Sequence, residues 1–353
     1  MKKIIQLLQI IAIIFISNVA IGQEFYGGRT LFGYTLLDAP KVFTSEGQAY
    51  LDSVDFNYCC ANDKERIYFL TKAILIEPNN AELYSSRGQS YCPAISDELY
   101  DNAIKDFTKA IEINPKDPFY YYQRAETYHL QGEKEKAIND LSQAIRIIPN
   151  DVKLFIMRAR YYSRSGNNIA AIRDMQSAIK LEPNNLWHYH NKAYYKSLVE
   201  DYYGALEDYK RALELETDTC SIYNHIEGMA TSYYYLGNYK IASDYFSKVI
   251  SFLSNTKCSK NYLTGELTLI SSYYYRGECR LELNDLETSF EDFKSVIKIG
   301  KGGYYVQNSY GGIINIGMAY IKLDKQEKAC QTFSKAGELG SDKAYEYIKR
   351  NCN

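Results

Sequence analysis

Residues 117–150 read DPFYYYQRAETYHLQGEKEKAINDLSQAIRIIPN, and residues 151–184 continue DVKLFIMRARYYSRSGNNIAAIRDMQSAIKLEPN. Laid over one another, the two stretches share Ala125 with Ala159, Ala137 with Ala171, Ala144 with Ala178 and Pro149 with Pro183, each 34 residues apart. The columns extend outward. Ala103, Ala137, Ala171 and Ala205 form one; Ala110, Ala144, Ala178 and Ala212 a second; Pro115, Pro149 and Pro183 a third; Ala125, Ala159 and Ala193 a fourth. Independent columns sharing one period specify an internal repeat.

Within a unit the spacing is helical. Tyr121, Ala125 and Tyr128 fall at i, i+4 and i+7, one face of a first helix; Gly132 breaks the chain; Ala137, Leu141 and Ala144 repeat the spacing on a second helix that ends before Pro149. The alanines mark where two helix axes approach closely, with Tyr121 and Leu141 filling the wider gaps. Two residues after each proline stands Asn80, Asp117, Asp151 or Asn185, a residue type that caps the next helix, and Pro118 suits a first helical turn.

These residues resemble the tetratricopeptide repeat family, in its exported bacterial form. The family pattern of a large residue, Gly or Ala, Tyr, Ala, a large residue, Ala and Pro is met by Tyr121, Ala125, Tyr128, Ala137, Leu141, Ala144 and Pro149. Phe155, Ala159, Tyr162, Ala171, Met175, Ala178 and Pro183 meet it again, as do Tyr84, Gly88, Tyr91, Ala103, Phe107, Ala110 and Pro115 across three extra residues near Cys92-Pro93. Looser units follow at Ala230 to Phe246, Gly277 to Phe293 and Gly317 to Ala336. The resemblance implies an all-α, right-handed α-solenoid of about eight helical hairpins over 47–351, in units 47–80, 81–116, 117–150, 151–184, 185–218, 223–256, 262–303 and 310–341. A degenerate first helix is expected over Gln48 to Tyr58, and 342–351 reads as the polar capping helix that an array needs.

One departure from the family pattern is informative. Where the family has leucine before the small residue of the first helix, this chain has Arg87, Arg124, Arg158, Lys192 and Arg276, and the same units carry Asp106, Asp140, Asp174, Asp208 and Asp292 on the second helix. The remaining units carry neither charge. Presence and absence match within the unit, which predicts a partly buried ion pair between the two helices of each hairpin. Residues repeated in this way are scaffold and carry no catalytic role.

The amino terminus carries a different signal. Lys2 and Lys3 precede an apolar run from Ile4 to Ile16, followed by small residues ending at Gly22, the pattern of a secretory signal over 1–22. An uncleaved anchor is the alternative, since the run is almost long enough to span a bilayer. An irregular leader is expected over 23–46. Nothing later is apolar enough to cross a membrane, so the expectation is an exported body in the periplasm or at the cell surface, with no span after cleavage. Losing Lys2 and Lys3 takes the formal net charge from −2 to −4. A mildly acidic chain gives no reason to expect nucleic acid, which needs a basic stripe.

No catalytic or metal constellation emerges. His188 and His190 lie two apart at a helix start and point to different sides; His129 and His225 have no ligand partners nearby in sequence, so all four read as polar groups on a helix surface. Gly27-Gly28, Gly302-Gly303 and Gly311-Gly312 lack the ending of a phosphate loop, and no G-x-S-x-G or H-E-x-x-H occurs. No cofactor, metal or enzymatic activity is expected. Eight cysteines in an exported chain read as disulfides or buried thiols. Antiparallel packing around Gly340 would join Cys330 to Cys352; Cys220 with Cys258, and Cys92 with Cys59 or Cys60, are further candidates, and Cys279 is left single.

The resemblance also implies where a partner lies, because the family's first helices line the concave side of its superhelix. That face carries Phe119, Tyr122, Glu126 and His129, then Arg160 and Arg164, then Trp187, His190 and Tyr194, then Tyr234. Tryptophan, tyrosine and arginine dominate binding energy at interfaces. With 36 tyrosines in the chain, helix packing is the competing role for many of these rings. The expectation is an adaptor binding a peptide or protein segment, with an envelope glycan stacked on the aromatics as the second class of ligand.

Overall fold

The computed structural model describes residues 63–91, 97–218, 221–254, 262–300 and 306–352. Among them every regular element is an α-helix, sixteen in all. The expected signal, leader and first helix, and Cys59, Cys60, Cys92, Cys220 and Cys258, lie outside the described residues. The chain divides into two compact units between Leu181 and Glu182.

The first unit holds α1 (Asp63–Ile76), α2 (Ala81–Tyr91), α3 (Asp97–Ile113), α4 (Pro118–Leu130), α5 (Lys134–Ile147), α6 (Val152–Arg164) and α7 (Asn168–Leu181). The second holds α8 (Leu186–Ser197), α9 (Tyr202–Leu215), α10 (Ile222–Tyr235), α11 (Tyr239–Ser254), α12 (Tyr262–Glu282), α13 (Leu286–Gly300), α14 (Val306–Lys322), α15 (Gln326–Glu338) and α16 (Asp342–Asn351). Within each unit every helix packs against the next, so hairpins such as α4–α5 and α10–α11 stack side by side, the α-solenoid arrangement.

The repeat columns are the reason. Ala103, Ala110, Ala125, Ala137, Ala144, Ala159, Ala171, Ala178, Ala193, Ala205 and Ala212 are all fully buried. No hairpin encloses its apolar side alone: Leu141 and Ala144 of α5 share one core cluster with Leu154 and Tyr161 of α6. Three hairpins use glycine at the closest approach, Gly88, Gly277 and Gly317, and each faces a phenylalanine ring (Phe107, Phe293, Phe333) standing where a Cβ would go.

The joins are capped through side chains. Asn80, Asp117, Asp151 and Asn185 accept from the amides of Glu82, Phe119, Lys153 and Trp187 at 3.1, 2.9, 2.8 and 3.2 Å. The turn inside a hairpin needs one residue at positive φ: Gly132 (88°), Gly166 (86°) and, at the same 34-residue step, Glu200 (62°). At the end of the second unit α16 closes the stack. Its Tyr347 and Ile348 pack around buried Phe333, and a disulfide joins Cys330 of α15 to Cys352, with Cα atoms 5.6 Å apart.

Candidate functional site

The five charged pairs lie inside their hairpins. Arg87 meets Asp106, Arg124 meets Asp140 and Arg158 meets Asp174, all with shortest contacts of 2.7 Å, and Arg276 meets Asp292 at 2.6 Å. Lys192 offers a single nitrogen, 2.8 Å from Asp208, and Lys196 brings a second at 2.7 Å. Arg280 doubles the Asp292 pair in the same way, at 2.7 Å. Burial pushes the Asp106 and Asp174 carboxyls up while the facing guanidinium opposes it, so desolvation is a real cost of these pairs. Their place between helices makes them fasteners of the scaffold; the face on which a partner is expected belongs to the first helices.

In the first unit that face is formed by α4 and α6. His129 stacks on Tyr161 with ring centroids 4.2 Å apart, and Arg164 Nη1 donates to His129 Nε2. Burial, and then the charges of Arg164, Arg160 and Lys134, hold His129 below the usual histidine range. Burial also raises the Glu126 carboxyl, against the Tyr122 hydroxyl bonded to it and the charge of Arg160. Phe119 is half-buried, whereas Arg160, Arg164 and Lys153 are exposed. Tyr122 departs from the expectation. It is 5% exposed and packs with Leu141 and Leu154, because its ring lies in the seam between hairpins and only its hydroxyl reaches Glu126.

In the second unit Trp187 and Tyr194 of α8 stand out, 50% and 49% exposed. Trp187 meets His190 edge-on at 5.8 Å, and His190 Nδ1 lies 3.0 Å from His225 Nδ1. His225 Nε2 approaches the buried Glu216 carboxylate at 3.3 Å. Glu216 only accepts, so His225 carries its proton on Nε2, its Nδ1 accepts, and His190 donates from Nδ1. Burial depresses both rings, His190 to about 4. Two of the four histidines therefore contradict a surface role. His188 and His225 are fully enclosed, His188 bonded through Nε2 to Glu182 at 2.8 Å and His225 as just described. On the next pair of helices the Tyr234 hydroxyl donates to Glu278 at 2.6 Å.

The described residues contain no gathering of three or more His, Cys, Asp or Glu suited to a metal, and no helix long and apolar enough to cross a membrane. Burial pushes the Cys279 thiol up to about 12, so it stays protonated and inert at neutral pH. What the two faces offer is aromatic surface, fixed charge and hydrogen-bonding groups on rigid helices, the means of recognition.

Family models described as "Tetratricopeptide repeat" match residues 107–139, and again 94–117, 152–185 and 312–339. A stretch of 36 residues is 53% identical to tetratricopeptide repeat protein 36 of Caenorhabditis elegans, covering 10% of this chain and 20% of that protein. The chain thus spans about a fifth of the length of that relative. Among solved structures, the C-terminal part of a repeat-containing protein from Cytophaga hutchinsonii is similar at a TM-score of 0.57 and 18% identity, covering 71% of this chain and 94% of that one. A tetratricopeptide repeat protein from Parabacteroides merdae is similar at 0.53 and 16%, covering 77% and 99%. At these identities the likeness is one of fold.

Proposed function

This chain is built of tetratricopeptide repeats, and from that premise we propose that it is a non-catalytic scaffold of the cell envelope that binds a peptide or protein segment along the free face of its first helices. The observation that carries the reading is the exposure of Trp187 and Tyr194 on one side of α8, while the rings that pack hairpins together, such as Tyr195 and Tyr209, are buried. Beyond its contacts with His190 and His225, half of the Trp187 side chain is left open, and tryptophan is the residue type that most often anchors a partner. The basic, apolar amino terminus supports export, with 1–22 removed as a signal. A disulfide between Cys330 and Cys352 suits an oxidising compartment.

The test is co-purification from the native envelope, comparing the unaltered chain with Trp187→Ala plus Tyr194→Ala. The scaffold reading expects a polypeptide retained by the first and lost by the second at equal folded amount. Equal retention by both refutes the placement of the site. Release of the bound material by envelope sugars, with no polypeptide present, would establish the glycan reading instead.

A further inference from the structure

Five aspartates buried between the helices of their hairpins, Asp106, Asp140, Asp174, Asp208 and Asp292, each hold a lysine or arginine within their own hairpin. Two carboxylates on the free face of the second unit break that rule. Glu227 of α10 accepts from the Ser271 hydroxyl of α12 at 2.8 Å. Glu278 of α12 accepts from the Tyr234 hydroxyl at 2.6 Å and from the Asn315 side-chain amide of α14 at 3.0 Å. Neither forms an ion pair among the described residues, although Arg276 and Arg280 leave the same helix as Glu278; both of those go to Asp292.

The two carboxylates share a neighbourhood. Tyr275 lies within electrostatic reach of both, and its ring meets that of Tyr234 edge-on at 5.1 Å. Tyr274 bonds Glu278, and Tyr209 lies near both Glu227 and Tyr194. Burial raises the Glu227 carboxyl. A desolvated carboxylate with only uncharged partners is unfavourable, and an arriving cation would recover that loss. The faces of tyrosine rings attract cations as well. On the same face of the first unit the buried Glu126 also meets a tyrosine hydroxyl, that of Tyr122, but there the charge of Arg160 already lies close by, with Lys153 and Arg164 exposed on the same helix as Arg160.

We propose that the α10–α12–α14 face of the second unit receives a lysine or arginine side chain of the partner segment, held between Glu227 and Glu278 and against the surrounding tyrosine rings. This rests on the scaffold reading and gives the partner a chemistry. Charge complementarity selects the occupant: the carboxylates supply two acceptors, the hydroxyls of Ser271 and Tyr234 fix their orientation, and no cation among the described residues competes. The planar guanidinium of arginine, able to bond a carboxylate and stack on a ring together, fits best.

The experiment uses the purified full chain and short degenerate peptide pools whose central residue is fixed as Arg, Lys, Gln or Glu, with binding read by fluorescence anisotropy. The Arg and Lys pools are expected to bind about tenfold or more tighter than the Gln pool, with Glu weakest. Glu227→Gln together with Glu278→Gln should erase that preference while leaving Gln-pool affinity unchanged. Should the double variant fail to fold, Glu278→Gln alone and a salt titration of the unaltered chain keep the question open to measurement, since screening must shrink a charge preference. Uniform binding of all four pools, or a preference that survives the substitutions and salt, overturns this inference and leaves the scaffold reading standing. Binding of no pool overturns both.

Discussion

The guanidinium of Arg124 grips the Asp140 carboxylate through bonds of 2.7 and 2.8 Å, and its remaining nitrogen donates to the Thr108 hydroxyl of the preceding hairpin at 3.0 Å. Arg87 does the same with Asp106 and Thr71, and Arg158 with Asp174 and Ser142. One side chain thus fastens its own two helices and ties its hairpin to the one before.

That geometry makes the pair asymmetric to mutation. Asp140→Ala leaves a buried guanidinium uncompensated and is expected to cost about 3–5 kcal/mol. Arg124→Leu together with Asp140→Ala removes both charges and should cost clearly less than the two single changes added. A double-mutant cycle in urea checks this. Additive losses would show that the two groups act independently.

Glu200 occupies a position that its repeats give to glycine. Its φ of 62° lies in the left-handed region, as do those of Gly132 and Gly166 at the same step of the repeat. A side chain there costs about 1 kcal/mol. Glu200→Gly should therefore raise the unfolding midpoint, and Gly132→Ala should lower it, both measurable by thermal denaturation. A Glu200→Gly variant no more stable than its parent would mean that a contact of the glutamate offsets the backbone strain.

The repeat is legible in the sequence because its closest contacts are made by alanines, and alanine recurring at one fixed step marks close helix approach and little else. The charged pairs are legible because Arg124 and Asp140 come and go together within a unit. Their third partner is not: Thr71, Thr108 and Ser142 precede their arginines by 16 residues, but Ser247 precedes Arg276 by 29, since a longer join shifts the register. The same irregularity hides the histidine pair. Between these two units the step is 37, from Ala193 to Ala230, so the counterpart of His190 is Glu227, and His225, 35 residues on, has no evident neighbour in the sequence. Counting along a helix puts Tyr122 on the partner face, and counting does not tell a ring that faces a groove from one that fills the seam beside it.

The disulfide between Cys330 and Cys352 encloses α16, whose burial otherwise rests on Ala344, Tyr347 and Ile348 around Phe333. A loop of this length restricts the unfolded chain by about 3 kcal/mol. Reduction, or Cys330→Ser with Cys352→Ser, should speed amide exchange across 342–351 far more than in α4 or α6. Unchanged exchange there would show that the apolar contacts alone hold the cap.

Acid should loosen the second unit through His190 and His225. Both rings are depressed by burial, and their shared Nδ1 contact tolerates one proton between them, not two. Glu216, which faces His225, favours its charged form, and Tyr209 and Trp187 bring no charge to His190. Unfolded histidines protonate near pH 6.5, while folded His190 waits until about pH 4. Between those values the unfolded chain binds protons that the folded chain refuses, so stability falls as pH falls, by about 3 kcal/mol across the window. The loss begins below the unfolded value and is complete near the folded one. Trp187, edge-on to His190, reports it directly in denaturant titrations followed by fluorescence. His190→Gln removes one of the two titrating rings, and its unfolding midpoint should vary less with pH over that range than the parent's. If both chains show the same slope, the acid sensitivity belongs to the carboxylates and the histidine pair is only a hydrogen bond between hairpins.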